Sequence, residues 1–100
     1  MLVTKACYPT LHASKYLQQL CKHFQHKAPV TFDETHGRCE FEAGIAELSA
    51  NAEGLTVRIT AADAKSIIAA RYVIDIHLVN FAFREEFTGL DWTMDLPASA

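Results

Sequence analysis

The sequence predicts an α+β fold: a two-layer sandwich in which two helices cover one face of an antiparallel sheet of about four to six strands. Several short segments alternate apolar and polar residues, which is typical of strands. Two longer segments repeat apolar residues every three or four positions, which is typical of helices. A length of 100 residues suits one hydrophobic core. We therefore expect residues 1–100 to form a single domain with a disordered tail at 96–100.

The amino-terminal part of the chain is predicted to form a strand followed by a helix. The strand covers residues 2–7, and Pro9 interrupts it. An amphipathic helix is predicted over residues 11–27, and Pro29 ends it. The apolar residues that define its buried stripe are Ala13, Leu17, Leu20, Cys21 and Phe24.

Four strands are predicted after this helix, because four segments alternate apolar and polar residues. They lie at residues 30–33, 38–42, 46–50 and 55–60. Residues 34–37 are predicted to form a hairpin loop in which Gly37 adopts a positive φ. Each strand has one polar face, so the sheet face opposite the helices is expected to be an ordinary solvated surface.

A second helix is predicted from about residue 61 or 62 to Glu85. Asp63 would lie in its first turn, where a carboxylate complements the helix dipole. Gly89 breaks the helical pattern, and residues 90–94 could form a last short strand. The predicted order is therefore β-α-β-β-β-β-α, with this last strand in addition.

Charge and cysteine content argue against several classes of protein. Nine basic and twelve acidic residues give a net charge of -3, so no positive field would attract nucleic acid, and we expect no nucleic-acid partner. The three cysteines contain no CxxC pair, which argues against a disulfide framework and a zinc finger and favours reduced thiols in the cytoplasm. No segment has the ~20 apolar residues of a membrane span, so no membrane association is expected.

Three histidines form the candidate metal site. His23 and His26 lie three residues apart on the first predicted helix, close enough to reach one ion. His77 on the second helix could join them if the two helices pack side by side. A contact with iron, haem or another metal is one hypothesis. The competing interpretation is that these side chains only make local hydrogen bonds, and no particular cofactor is implied.

Catalytic residues are not predicted. Cys39 and the neighbouring His36 come nearest to a Cys–His pair, but the alternation of the strand turns Cys39 inward. Farther along, the i,i+4 spacing of Arg71 and Asp75 predicts an ordinary ion pair on the second helix.

The second helix carries two apolar stripes, whereas a surface helix needs only one. The core stripe contains Ile67, Ala70, Ile74, Leu78 and Phe81. The second stripe lies on nearly the opposite side and contains Ile68, Tyr72, Ile76, Val79 and Phe83. Something must cover these side chains: residues 90–96 folding back, the first helix, or a second copy of the chain. Intramolecular cover and a homodimer remain equal alternatives.

Three segments and a short motif carry a resemblance to a known family. They are YLQQLCKHFQHK (residues 16–27), TFDETHGRCEF (31–41), HLVNFAFREE (77–86) and Leu90-Asp91-Trp92. Together they resemble the bacterial family catalogued as domain of unknown function 2218, over residues 13–92. That family has no assigned activity. Similar domains attached to flavin-dependent ferric-siderophore reductase modules imply an iron-handling or reductase partner.

The residues and the resemblance together indicate a non-enzymatic binding or accessory module, possible ligand contacts being Tyr16, His23, His26, His77 and Arg84. Arg84 is included because it follows two phenylalanines within one of the resembling segments. One alternative is a small enzyme or small-molecule binder with a pocket between helices and sheet. Another is a homodimeric interaction domain that uses the second helix.

Overall fold

A computed structural model describes residues 1–94 and confirms the α+β class. Within these residues the chain forms six strands, two α-helices and one 3₁₀ helix. In chain order they are β1 Leu2–Tyr8, α1 Ala13–Phe24, β2 Val30–Phe32, β3 His36–Glu40, β4 Ile45–Asn51, β5 Gly54–Ala61, α2 Ala64–Phe81, the 3₁₀ helix Phe83–Glu85 and β6 Thr93–Met94. The tail at 96–100, predicted to be disordered, lies outside the described residues.

The strands form one antiparallel sheet in the order β2-β3-β4-β5-β1-β6. Strands β2 to β5 follow each other as hairpins, whereas β1 enters between β5 and β6. Its register with β5 runs from Leu2 opposite Ala61 to Tyr8 opposite Leu55. Both helices lie on one face, α1 against β3 and β4 and α2 against β5 and β1. The two-layer arrangement is therefore the predicted one.

The core lies between the helices and the sheet, where the apolar stripes and alternating strand residues meet. The side chains with no exposed surface include Leu17, Leu20, Leu55, Ile59, Ile74 and Leu78. Cys39 is also buried and contacts Cys21 of α1; this thiol–thiol hydrogen bond and burial raise the pKa of Cys39. Cys39 is thus a neutral core residue, as the strand alternation predicts.

Neither helix within residues 1–94 has the combination of length and apolar character needed to cross a membrane.

The hairpin between β2 and β3 differs from the prediction. Asp33 Oδ1 accepts hydrogen bonds from the backbone N–H of Thr35 and of His36, both at 2.8 Å. This turn reverses the chain early, so β3 already begins at His36 and Gly37 is a strand residue with no positive φ. Gly37 is required for a different reason: an added Cβ would lie 2.6 Å from Cys21 Sγ. The glycine lets α1 approach the sheet.

The ends of α2 also differ from the prediction. Asp63 is the N-cap and not a first-turn residue, and its carboxylate accepts from Ser66 N at 2.8 Å. The helix ends at Phe81 and not at Glu85, because the chain tightens into the 3₁₀ helix and Glu86 then adopts a φ of 58°. The backbone therefore changes direction just where the predicted helix would have continued.

The predicted Arg71–Asp75 ion pair is wrong, since the two side chains bind different partners. Asp75 instead accepts from Leu90 N at 3.0 Å and from Trp92 Nε1 at 2.9 Å. Arg71 donates to Thr4 Oγ1 and lies 5.7 Å from the centre of the Trp92 ring. Both charged side chains thus fix the chain after α2 against the helix.

Candidate functional site

The structure brings His23 of α1 and His77 of α2 together where the two helices meet. Their ring centres are 4.4 Å apart and their planes are inclined by 45°. The His77 Nδ1 atom is 2.7 Å from the carbonyl oxygen of Val73, one turn earlier on α2. Since a carbonyl oxygen can only accept, Nδ1 donates this hydrogen bond, and Nε2 takes no part in it. We call these two residues the histidine pair.

Aromatic side chains surround the histidine pair on its inner side. Phe24 packs against both rings, with centre-to-centre distances of 5.7 Å to His23 and 5.1 Å to His77. Partial desolvation lowers the pKa of the His23 side chain, and electrostatic interactions with His77, Lys27 and His26 lower it further. Its ring makes no hydrogen bond within residues 1–94.

His26 does not complete a metal centre with the histidine pair. No group of three His, Cys, Asp or Glu side chains within residues 1–94 is placed to hold a metal ion. The two helices bring together His23 and His77 only, while His26 is exposed beyond the end of α1.

Gln19 lies one turn before His23 on α1, and its Oε1 atom is buried without a hydrogen-bond partner within residues 1–94. A buried amide oxygen without a donor costs free energy of about 1–3 kcal/mol. Because residues four apart on a helix lie on the same side, Gln19 lies on the flank of α1 that carries His23.

Tyr16 belongs to a second polar cluster, centred on the carboxylate of Glu85. Tyr16 donates its hydroxyl to Glu85 Oε2, while Thr10 and Tyr8 donate to Oε1 at 2.8 and 3.1 Å. Burial works to raise the pKa of Glu85, but the three hydroxyl donors outweigh it, and the net effect lowers that pKa. The Tyr16 hydroxyl, predicted to contact a ligand, is thus bound to a residue of the same chain.

Alkaline pH should weaken this cluster. Burial and then the hydrogen bond to Glu85 raise the pKa of Tyr16 from 10.0 to about 12. A raised folded-state pKa stabilises the protein below pH 10, and the contribution is lost as pH rises towards 12. Tyr16→Phe should therefore cost about 1.5–3 kcal/mol of unfolding free energy at pH 7, and much less near pH 12. Urea unfolding at both pH values measures this, and an equal loss at both would contradict it.

Arg84, the remaining predicted contact, lies on the exposed 3₁₀ helix. Its guanidinium carbon is 5.7 Å from the centre of the Phe83 ring, so the cation stacks on an exposed aromatic side chain. Within residues 1–94, Arg84 makes no hydrogen bond or ring contact with either member of the histidine pair.

The residues of the predicted second apolar stripe are open to solvent; four lie on α2, and Phe83 lies on the 3₁₀ helix that follows it. We call this stripe the α2 apolar face; the exposed fractions are 65% for Ile68, 63% for Tyr72, 41% for Ile76, 37% for Val79 and 64% for Phe83. Of the predicted intramolecular covers, α1 and residues 90–94 leave this face uncovered. Residues 95 and 96 lie outside the described part of the chain.

The outer face of the sheet, predicted to be an ordinary solvated surface, contains an open cavity of about 570 Å³ over β2 to β5. Arg38, Glu47 and Arg58 lie side by side on β3, β4 and β5 and line it. Glu40 lies 3.9 Å from Arg38. Opposite charges therefore alternate along this row, and the cavity lies on the side of the sheet away from the helices.

Sequence reasoning missed Glu85 and Gln19. The sequence pattern places Glu85 only at the end of the predicted second helix, and its partners Tyr8 and Thr10 are more than 70 positions away in the chain. No local spacing signals such a contact. Gln19 lies four residues before the candidate ligand His23, and this spacing is the one sequence signal that places the two residues on the same side of the helix.

Comparisons with known proteins agree with this architecture. The chain is similar to a protein whose NMR structure has been solved, PA4090 from Pseudomonas aeruginosa, with a TM-score of 0.78 and 26% sequence identity over 93% of this chain and 96% of that one. No curated protein matches the chain. The model of a family described as an uncharacterised protein conserved in bacteria matches residues 5–93. Since this match spans nearly the whole sequence, the chain belongs to the DUF2218 family.

Proposed function

We propose that the protein is a non-enzymatic accessory module that acts as a homodimer paired through the α2 apolar face. The observation that carries the proposal is the exposure of four large apolar side chains on one side of α2, with a fifth, Phe83, on the 3₁₀ helix that follows. The other helix of the same layer provides an internal comparison. The exposed side chains of α1 are polar, and they are Lys15, Lys22 and His23. The exposed side of α1 is therefore polar, as expected for contact with water, whereas the exposed side of α2 is apolar.

The size of the α2 apolar face is suited to a small dimer. Tyr72 and Phe83 are both aromatic, and an aromatic side chain can bury about 150–250 Å². With its three aliphatic residues the face exposes roughly 500 Å², the upper range for a single patch on a monomer. Two such faces would bury about 1,000 Å² in total, near the lower bound for a specific interface.

Charge and composition favour a second copy of the chain as the occupant. Residues 95–100 contain a single large apolar side chain, Leu96, too few to cover five. Lys65 lies in the first turn of α2, and Glu86 follows the 3₁₀ helix beyond its other end. An antiparallel pair of copies would bring these oppositely charged ends of the α2 apolar face towards each other, which favours that orientation.

Sedimentation velocity tests the dimer. The wild-type protein should sediment as a dimer, and Tyr72→Glu should weaken dimerisation by roughly 30-fold or more, the effect of losing a central aromatic contact. Leu11→Glu is the matched control, because Leu11 is 93% exposed and lies outside α2. A wild-type protein that stays monomeric at millimolar concentration would overturn the proposal. So would an equal effect of the two substitutions.

The iron-handling or reductase partner, the cytoplasmic location and the small-molecule alternative remain predictions. The small-molecule alternative places its pocket between helices and sheet, whereas the cavity lined by Arg38 and Arg58 lies on the opposite face. The homodimer requires neither a ligand nor a reductase, so its test is independent of them.

A further inference from the structure

We propose that His23, His77 and the amide oxygen of Gln19 form a site for one late first-row transition-metal dication, Cu²⁺, Ni²⁺ or Zn²⁺, where α1 and α2 meet. This site differs from the three-histidine set that the sequence suggests, because Gln19 takes the place of His26. It is also separate from the proposed dimer interface, since His77 lies outside the α2 apolar face.

The spacing of the two imidazole rings suits a shared ion. Metal–nitrogen bonds of about 2.0–2.1 Å place the centres of two ligating rings about 4.5–5 Å apart when the bonds are roughly perpendicular. The observed separation of the His23 and His77 ring centres is 4.4 Å. His23 is exposed, so its side chain has room to rotate until both rings face a common ion.

The His77 ring is already oriented as a ligand. A metal-binding histidine usually donates its other ring N–H to a carbonyl or carboxylate, which fixes the tautomer and directs the free nitrogen at the metal. The bond of 2.7 Å from His77 Nδ1 to the Val73 carbonyl does this and leaves Nε2 as the donor atom. Phe24, in edge contact with the ring at 5.1 Å, restricts its rotation further.

Gln19 supplies a third donor atom that has no other role. Its Oε1 is buried and lacks a hydrogen-bond donor within residues 1–94, so a cation would satisfy an otherwise unfavourable group. Two ligands four residues apart on one helix lie on the same flank, and α2 provides the third from the opposite side. Exposure of His23 leaves room for water to complete the coordination.

The ligand set determines which ions are expected. Imidazole suits copper, nickel and zinc, and a neutral amide oxygen adds no charge to attract Mg²⁺ or Ca²⁺. The general affinity order of divalent ions places Cu²⁺ above Ni²⁺ and Zn²⁺. The site should therefore bind Cu²⁺ most tightly and should not respond to Mg²⁺.

Isothermal titration of chelator-treated protein with each metal chloride tests the proposal. Cys7→Ser serves as the background, because the exposed Cys7 thiol could bind metal independently. We expect one ion per chain, at least about tenfold weaker binding in His23→Ala and in His77→Ala, and little change in the control His26→Ala. Imidazole resonances in NMR spectra should shift for His23 and His77 only.

Two further variants test the amide oxygen. Gln19→Leu keeps a similar volume but removes the oxygen, so it should weaken binding, whereas Gln19→Glu introduces a carboxylate and should strengthen it. The proposal is overturned if the background protein binds none of the three ions, or if His26→Ala weakens binding as much as His77→Ala. Unchanged affinity in both Gln19 variants would remove Gln19 from the site.

Discussion

Gly54→Ala is expected to destabilise the fold by about 3–5 kcal/mol, a large share of the stability of a small domain. Gly54 has a φ of 150°, a conformation that residues with a side chain rarely adopt. An added Cβ would also collide with the carbonyl oxygen of Tyr8 and lie 2.9 Å from the Pro9 Cα atom. Both are backbone atoms at the end of β1, so they cannot rotate away.

Gly89→Ala is the matched control for this substitution. Gly89 has a similar φ of 144°, but nothing lies within 4 Å of an added Cβ. It should therefore show the conformational cost alone, about 1–3 kcal/mol. Urea unfolding of both variants measures the difference, which is the contribution of the close approach to β1. Equal losses would mean that the contact between the β4–β5 turn and the end of β1 is not tight.

The second large effect is expected for Asp75→Ala, which should cost about 2–4 kcal/mol. Hydrogen bonds to a charged group contribute about 1.5–3 kcal/mol each, and Asp75 accepts two of them, from Leu90 N and Trp92 Nε1. Their loss leaves two N–H groups without an acceptor and releases the chain that follows α2. The cation–π contact of Arg71 with Trp92 should weaken as well.

Tryptophan fluorescence reports this release directly, because Trp92 is the only tryptophan in the chain. Its emission should shift to longer wavelength in Asp75→Ala as the indole becomes hydrated, and the thermal midpoint should fall. Asp91→Ala removes the same charge from an exposed neighbour of Trp92 and should change neither quantity much. An unshifted emission in Asp75→Ala would show that the indole is held by other contacts.

The periodic spacing of apolar residues predicted the regular helices and strands of the fold. The stripe of α1 and the alternation of β4 and β5 are local consequences of which face is buried, so the sequence was sufficient for them. The early turn at Asp33 was missed because it depends on a side chain bonding to the backbone. Similarly, α2 ends at Phe81 although its apolar pattern continues to Phe83.

The candidate sites were predictable to the extent that they lie on regular helices. The encounter of His23 with His77 needs only that the two helices lie side by side. The grouping of Tyr8, Tyr16 and Glu85 depends on where three distant segments meet in space. Periodicity carries no information about such long-range contacts.

The placement of β1 between β5 and β6 has a consequence for synthesis. Leu2 pairs with Ala61, so the first strand leaves the ribosome long before its neighbour is made. The β2–β5 meander can assemble first from adjacent hairpins, but the six-stranded sheet is incomplete until β1 pairs with β5. Closing so long a loop carries an entropic cost and slows folding. Until then β1 exposes unpaired backbone groups, which makes the nascent chain prone to misassociation or to chaperone capture.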